Sequence, residues 1–296
     1  QASEGQSDAI AWRRHLHAHP ELSFQEHQTA AYVAKALRGM GIAVQEGVAD
    51  TGVVGLIEGQ LDQPEGVDQD PCCTALRADM DALPIREANA VPYRSQNDGV
   101  MHACGHDVHS TCLLAAARIL QDLRGAFAGV IKLIFQPGEE RFPGGASLMI
   151  RDGVLENPAP KSVLGQHVHP PLEAGTIGMR PGPYMAAADE LYFHVKGRGG
   201  HAAHPHLLID PVLMSSHLIL QLQRVVARLA RPDQPAVLSI GRVIAEGATN
   251  IVPDEARIEG TFRSFDPELR TKAHEAIRAI CRGTAEAFGG QIDVDI

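Results

Sequence analysis

Aromatic residues make up only 4% of this 296-residue sequence, which removes the stacking surface that single-stranded nucleic acid requires. Positive charge is equally scarce in any concentrated form. The formal net charge is −10, and no Lys/Arg-rich block offers the clustered cations that bind a phosphate backbone. Long hydrophobic runs are missing as well. The longest, such as Leu113–Ala117, fall far short of a membrane span. Nucleic acid and membrane are therefore excluded as expected partners. The chain opens with neither Met nor a basic-then-apolar leader pattern. Five cysteines, an odd number without framework spacing, argue against a disulfide scaffold. The adjacent Cys72 and Cys73 read as small core residues, and a reducing cytoplasm is the expected location.

What remains is a composition suited to a packed core, 44% hydrophobic, in a chain long enough for two domains. Histidine is the conspicuous residue, with 15 copies. Six of them (His102, His106, His109, His167, His169 and His201) fall in three short clusters.

The first half alternates helical and strand patterns. Helices are expected over Ser7–His17, Gln25–Met40, Ser110–Leu123 and Gly145–Arg151. Short runs rich in Val, Ile and Leu predict strands at Gly52–Glu58, Cys72–Ala78, Val130–Phe135 and Ser162–Gln166, with Gln60–Pro71 as a surface loop. This pattern predicts an α/β domain with a mostly parallel sheet and helices on both faces. Past Pro181–Pro183 the order becomes β-α-β-β-α-β: Glu190–Lys196, Pro211–Arg228, Ala236–Ile244, Ala256–Arg263, Pro267–Phe288 and Gln291–Ile296. That is the split-βαβ order of a ferredoxin-like α+β domain. The expected division is a catalytic domain over 1–184 and a second domain over 185–296.

In open α/β sheets, ligands bind beyond the carboxyl ends of the strands. Three predicted strands run directly into polar clusters there: Asp79-Met80-Asp81, Gln136-Pro137-Gly138-Glu139-Glu140 and His167-Val168-His169. The segment His102-Ala103-Cys104-Gly105-His106-Asp107 opens the helix predicted from Ser110. Cys104 and His106 offer a soft sulfur and an imidazole able to hold one or two borderline metals, or they are a core thiol beside a capping segment. Glu139 and Glu140 form a solvated acidic turn, or one binds metal while the other serves as base toward an attacking water. His167 is a ligand or a satisfied core histidine, and His169 reads as structural.

Five ordered motifs carry a resemblance. Arg77–Pro84 (RADMDALP), Met101–Asp107 (MHACGHD), Phe135–Glu140 (FQPGEE), Gly199–Ala203 (GGHAA) and Asn250–Pro253 (NIVP) together resemble the M20 metallopeptidase clan. The likeness runs from Arg13-Arg14-His15-Leu16-His17 to the last residue. The branch most similar is the amidohydrolases of N-acyl amino acids, including hippurate hydrolase, aminoacylase and auxin-conjugate hydrolase. The wider clan has a His ligand where Asp79 stands, and Cys104 taking its place selects this branch.

The resemblance implies a two-metal centre of zinc or manganese, with cobalt or nickel as alternatives. It implies Cys104, His106, Glu140 and His167 as metal ligands, Glu139 as general base, and Asp79 and Asp81 as groups that orient the ligands. On the second domain it implies that His201, Asn250 and Arg263 hold the substrate's carboxylate and the oxyanion. It further implies a lid role and a homodimer through this domain. The expected substrate is a small N-acyl amino acid or peptide. Dipeptidase or carboxypeptidase activity at the same centre is the alternative within enzymes, and a non-catalytic metal-binding or dimerisation module is the alternative outside them. Members of the family continue past the lid for roughly another domain, which brings a further His ligand. Two ions need about four ligands each, and four protein groups plus water fall short of that. The sequence is therefore expected to be a fragment lacking its C-terminal segment.

Overall fold

The computed structural model describes residues 3–62 and 72–296; most of the loop expected at Gln60–Pro71 lies outside them. The chain divides into two compact units, residues 1–176 and 177–296.

The first unit contains α1 (Gln6–Ala18), α2 (His27–Gly39), β1 (Ala43–Val48), β2 (Gly52–Glu58), β3 (Cys73–Asp79), α3 (His106–Asp122), β4 (Val130–Gln136), α4 (Gly145–Arg151) and β5 (Pro160–Gly165). Its sheet has the order β1-β2-β4-β3-β5. β4, β3 and β5 are parallel, but β2 is antiparallel to both β1 and β4. The sheet is thus mixed rather than mostly parallel. The cause is local. Only residues 49–51 join β1 to β2, with Ala49 and Asp50 at φ of 52° and 75°, and so short a turn can connect only antiparallel neighbours. β1 itself was not expected, because it is largely exposed and carries Gln45, Glu46 and a bulge at Gly47 in place of an apolar run.

One sheet face is covered by α2 and α3. Val33, Leu37, Leu113, Leu114 and Ala117 pack there on Val53, Ile57, Leu133 and Phe135. The opposite face is covered by α4, whose Met149 packs with Val54, Ala75 and Ile134. Lys132, buried within β4, donates its ammonium to the carbonyls of Val154, Glu156 and Pro158 at 2.9, 2.7 and 2.8 Å. Those three bonds offset its desolvation and tie down the connection from α4 to β5. Of the adjacent cysteines expected in the core, Cys73 is buried but Cys72 is exposed, since β3 begins only at Cys73. All five thiols are free.

The second unit contains β6 (Ala187–Lys196), β7 (Gly200–His201), α5 (Pro211–Leu229), β8 (Ala236–Ile244), β9 (Ile251–Val252), β10 (Glu255–Ser264), α6 (Pro267–Phe288) and β11 (Gln291–Asp295). Its four-stranded sheet, β11-β6-β10-β8, is antiparallel throughout. Both helices begin in the same way. Asp210 and Asp266 each cap two backbone amides, and a proline follows at the first helical position. Leu191, Phe193 and Val195 alternate inward along β6 onto Met214, Leu218, Ala273 and Ile277 of the two helices. β7 and β9 form a separate two-residue ribbon that pairs His201 with Ile251. Among the described residues, no helix is long and apolar enough to cross a membrane.

Candidate metal centre

Because β3, β4 and β5 are parallel, their carboxyl ends share one edge, and the polar clusters that follow them meet there. Asp79 ends β3, Glu139 and Glu140 lie just past β4, and His167 lies two residues beyond β5. Cys104 and His106 reach the same edge from the start of α3. Gly105 between them has φ of 84°, and a Cβ on it would stand 2.5 Å from Cγ2 of Val168. Glycine is required here both by the turn and by the close approach of the residue after His167.

The donor atoms converge. Cys104 Sγ is 3.3 Å from His167 Nε2, and His106 Nε2 is 3.7 Å from Glu140 and 3.9 Å from Glu139. Two donor sets, Cys104/His106/His167 and His106/Glu139/Glu140, each have their atoms within 4.8 Å of one another and share His106. The tautomers suit metal binding. His167 Nδ1 donates to the carbonyl of Val168 at 2.8 Å, and His106 Nδ1 donates to Asp81 at 3.2 Å, so each ring turns a lone pair at Nε2 toward the centre. His106 is fully buried, and its Nε2 has no hydrogen-bond partner among the described residues. A buried nitrogen left unpaired among a thiol and carboxylates fits a divalent cation, and the donors around it spread over two overlapping groups.

A third set, Asp79/His106/His109, is equally compact but already committed. Asp79 accepts from Arg77 Nη1 and from His109 Nδ1, both at 2.7 Å. Burial pushes its carboxyl up, but the His109 bond and the Arg77 charge outweigh that and hold it at about 2. Asp81 likewise supports the site. Its carboxylate accepts from Ser23 Oγ at 2.6 Å, the Glu140 amide at 2.9 Å and His106. Arg13 and His17, at the start of the family likeness, hold Asp107 from behind at 2.9 and 2.8 Å.

Two residues escaped the sequence reading. His109 was counted in a histidine cluster without a task; its place one helical turn after His106 on the same helix was the available signal. Glu26 carried no signal. Wholly buried, it accepts from the Gly138 amide and from Thr51 Oγ1, both at 2.7 Å, and so anchors the turn bearing Glu139 and Glu140.

The local field is strongly negative. Burial and the carboxylates of Glu140, Glu139 and Asp79 push the Cys104 thiol up to about 12. Burial, then the Glu140 charge, also raises Glu139. A Cys104 thiolate therefore exists at neutral pH only when cations offset this field. Cobalt-loaded protein is expected to show a sulfur-to-cobalt charge-transfer band in the near ultraviolet that Cys104→Ser abolishes. A band of equal intensity in the variant would mean that Cys104 is not a ligand.

In the second unit, His201 and Asn250 come together: the Ala202 amide donates to the Asn250 carbonyl at 2.9 Å beside the β7–β9 pairing. The glycines before His201 serve this ribbon, since a Cβ on Gly199 would stand 2.3 Å from the Val252 carbonyl. Arg263 is not brought to them. It lies eight residues along β10 from Glu255, a distance of about 26 Å at about 3.3 Å per residue. It is exposed on the sheet face away from the helices.

A thiol, two imidazoles and two carboxylates at the strand ends of an α/β unit define a metal-dependent hydrolase. Residues 75–295 match the model of Peptidase family M20/M25/M40, and the chain belongs to that family. It is 43% identical over 290 residues to the N-acyl-L-amino acid amidohydrolase of Geobacillus stearothermophilus, covering 98% of this chain and 76% of that protein. Similarity to the hippurate hydrolase of Campylobacter jejuni is 41% identity over 284 residues, covering 96% and 71%. A crystal structure from Bacillus subtilis, described as a dinuclear metal-binding peptidase of the M20 family, matches with a TM-score of 0.78 and 35% identity. The match covers 99% of this chain and 74% of that one.

Proposed function

We propose that the chain hydrolyses the amide bond of N-acyl amino acids, releasing a carboxylic acid and an amino acid. The observation that carries this reading is the convergence of Cys104, His106, Glu139, Glu140 and His167 at one sheet edge. It is supported by relatives of 41–43% identity that are named for such hydrolysis.

Cys104, His106, Glu140 and His167 hold two divalent ions, zinc or manganese, replaceable by cobalt or nickel. When bound, the ions polarise the scissile carbonyl and lower the pKa of water at the centre. Glu139, left outside the ligand set and raised by burial and by Glu140, takes the proton of the attacking water. As the new C–O bond forms and the C–N bond breaks, Glu139 passes that proton to the leaving nitrogen. Asp79 and Asp81 hold the imidazoles and the Glu140 backbone in place. His201 donates to the oxyanion, and Asn250 and Arg263 hold the substrate's carboxylate.

The second domain, taken as 185–296, acts as lid and dimerisation domain. With about 26 Å of β10 between Arg263 and the end near His201, one copy cannot close both on one small substrate. A homodimer in which each site borrows from its neighbour removes the conflict. Mixing inactive Glu139→Gln with inactive His201→Ala protein is then expected to restore activity. No recovery in proven mixed dimers would mean that His201 acts within its own chain or not at all. We place the enzyme in the cytoplasm, in keeping with its free thiols.

The direct test combines metal analysis of purified protein with a screen of N-acetyl amino acids and free dipeptides. Metal-dependent turnover of the N-acyl substrates is expected. Cleavage of dipeptides alone would make it a peptidase, and metal binding without amide turnover would overturn the hydrolytic reading.

A further inference from the structure

We infer that His109 is a positioning residue that sets the aim of His167; this rests on the reading that Cys104, His106, Glu140 and His167 hold the metals. β5 ends at Gly165, so His167 lies two residues beyond the last pairing of its strand and owes its place to something other than the sheet. The backbone of Val168 supplies it. The Val168 carbonyl accepts from His167 Nδ1 at 2.8 Å, which turns Nε2 toward Cys104. The Val168 amide donates to His109 Nε2 at 2.9 Å. The Val168 side chain fills the space that a Cβ on Gly105 would occupy.

His109 can serve as this anchor because it is itself immobilised. It is 1% exposed, and its Nδ1 is bound to Asp79 at 2.7 Å. Asp79 in turn is gripped by Arg77, and its carbonyl accepts from Ser110 Oγ at 2.8 Å. A backbone N–H can only donate, so His109 Nε2 must be the acceptor and the ring proton must sit on Nδ1. That is the tautomer the Asp79 carboxylate selects. The rings of His109 and His167 meet edge to face, with centroids 4.5 Å apart. A continuous path thus runs from the end of β3 through Asp79, His109 and the backbone of Val168 to the ring of His167. Nowhere does it require His109 to touch metal or substrate.

Amide substitutions separate the two ends of the imidazole. The Asn side chain reaches the place of Nδ1 and can still donate to Asp79, but it leaves the Val168 amide unanchored. The Gln side chain reaches the place of Nε2 and can still accept from Val168. Cobalt titration of the metal-free chain, following stoichiometry and the near-ultraviolet band, is the readout, with His167→Ala as control. The His109→Asn variant is expected to bind one of its two ions about 10–100-fold more weakly, while His109→Gln binds both as the parent does. If His167→Ala loses an ion but His109→Asn binds like the parent, the positioning role is overturned and the ligand reading stands. Equal losses in the Asn and Gln variants would also overturn it, because keeping the Val168 bond would then preserve nothing. If His167→Ala keeps both ions, the ligand reading itself falls, and this inference with it. Should the Asn variant fail to fold, amide exchange in the metal-free parent decides. A protected Val168 amide supports the anchor, and one exchanging at the rate of an open loop overturns it.

Discussion

Replacing Glu139 by Gln is expected to leave metal content unchanged and to lower turnover by about 10²–10⁴-fold, the usual worth of a proton-transfer group. The neighbouring residues set the expectation. His106 Nε2 lies 3.9 Å from Glu139 and 3.7 Å from Glu140, so both carboxylates reach the centre, but their surroundings differ. Glu140 is the less exposed side chain, at 23% against 42%, and its backbone amide is fixed on Asp81 at 2.9 Å. It suits a fixed ligand. Glu139 is free to face incoming water, and burial together with the Glu140 charge raises its pKa. A raised carboxyl is a stronger base once ionised, which is the direction proton abstraction requires. The amide of Gln fills the same volume but cannot accept the proton. Metal content per chain and kcat on an N-acetyl amino acid, measured on the same preparation, check the expectation. Near-normal turnover in Glu139→Gln, with abolition in Glu140→Gln alone, would mean that the two roles are reversed.

The parts of this molecule that were legible in its sequence are those written in contiguous residues. The apolar runs of β2, β3 and β4 mark themselves, and the prolines that open α5 and α6 mark the helix starts. Polar clusters placed directly after apolar strands revealed the metal-centre candidates. Direction was not legible, because an apolar run reads the same whether its strand is parallel or antiparallel. β2 therefore entered the sheet opposite to expectation, through a β1 that lacks any apolar run. The supporting residues were hidden for a different reason. Glu26 meets Gly138 across 112 positions, and His109 meets Val168 across 59. A buried polar residue is explained by its partner, and nothing in the local pattern names a partner so far away. Arg263 shows the converse: the resemblance groups it with His201 and Asn250, but eight residues of extended β10 separate it from Glu255 at the other end of the strand.

Asp81→Asn is expected to lower metal affinity by about 10–100-fold while the chain still folds. One buried carboxylate serves three donors. Oδ2 takes Ser23 Oγ and the Glu140 amide, and Oδ1 takes His106 Nδ1. An asparagine that keeps its oxygen toward Ser23 and Glu140 must turn its NH₂ toward His106. His106 Nδ1 would then have to accept, moving the ring proton to Nε2, the nitrogen that faces the centre. A protonated Nε2 cannot bind metal, so the tautomer, not the position, of His106 would be lost. The flipped amide preserves His106 but sets its NH₂ against the Ser23 hydroxyl and the Glu140 N–H, which loosens the turn carrying both glutamates. Either orientation disables a ligand. Competition with a chromophoric chelator measures the affinity, and circular dichroism of the metal-free variant checks the fold. An Asp81→Asn chain that holds both ions as tightly as the parent would show that His106 is oriented without Asp81. The carboxylate would then be serving Ser23 and the Glu140 turn alone.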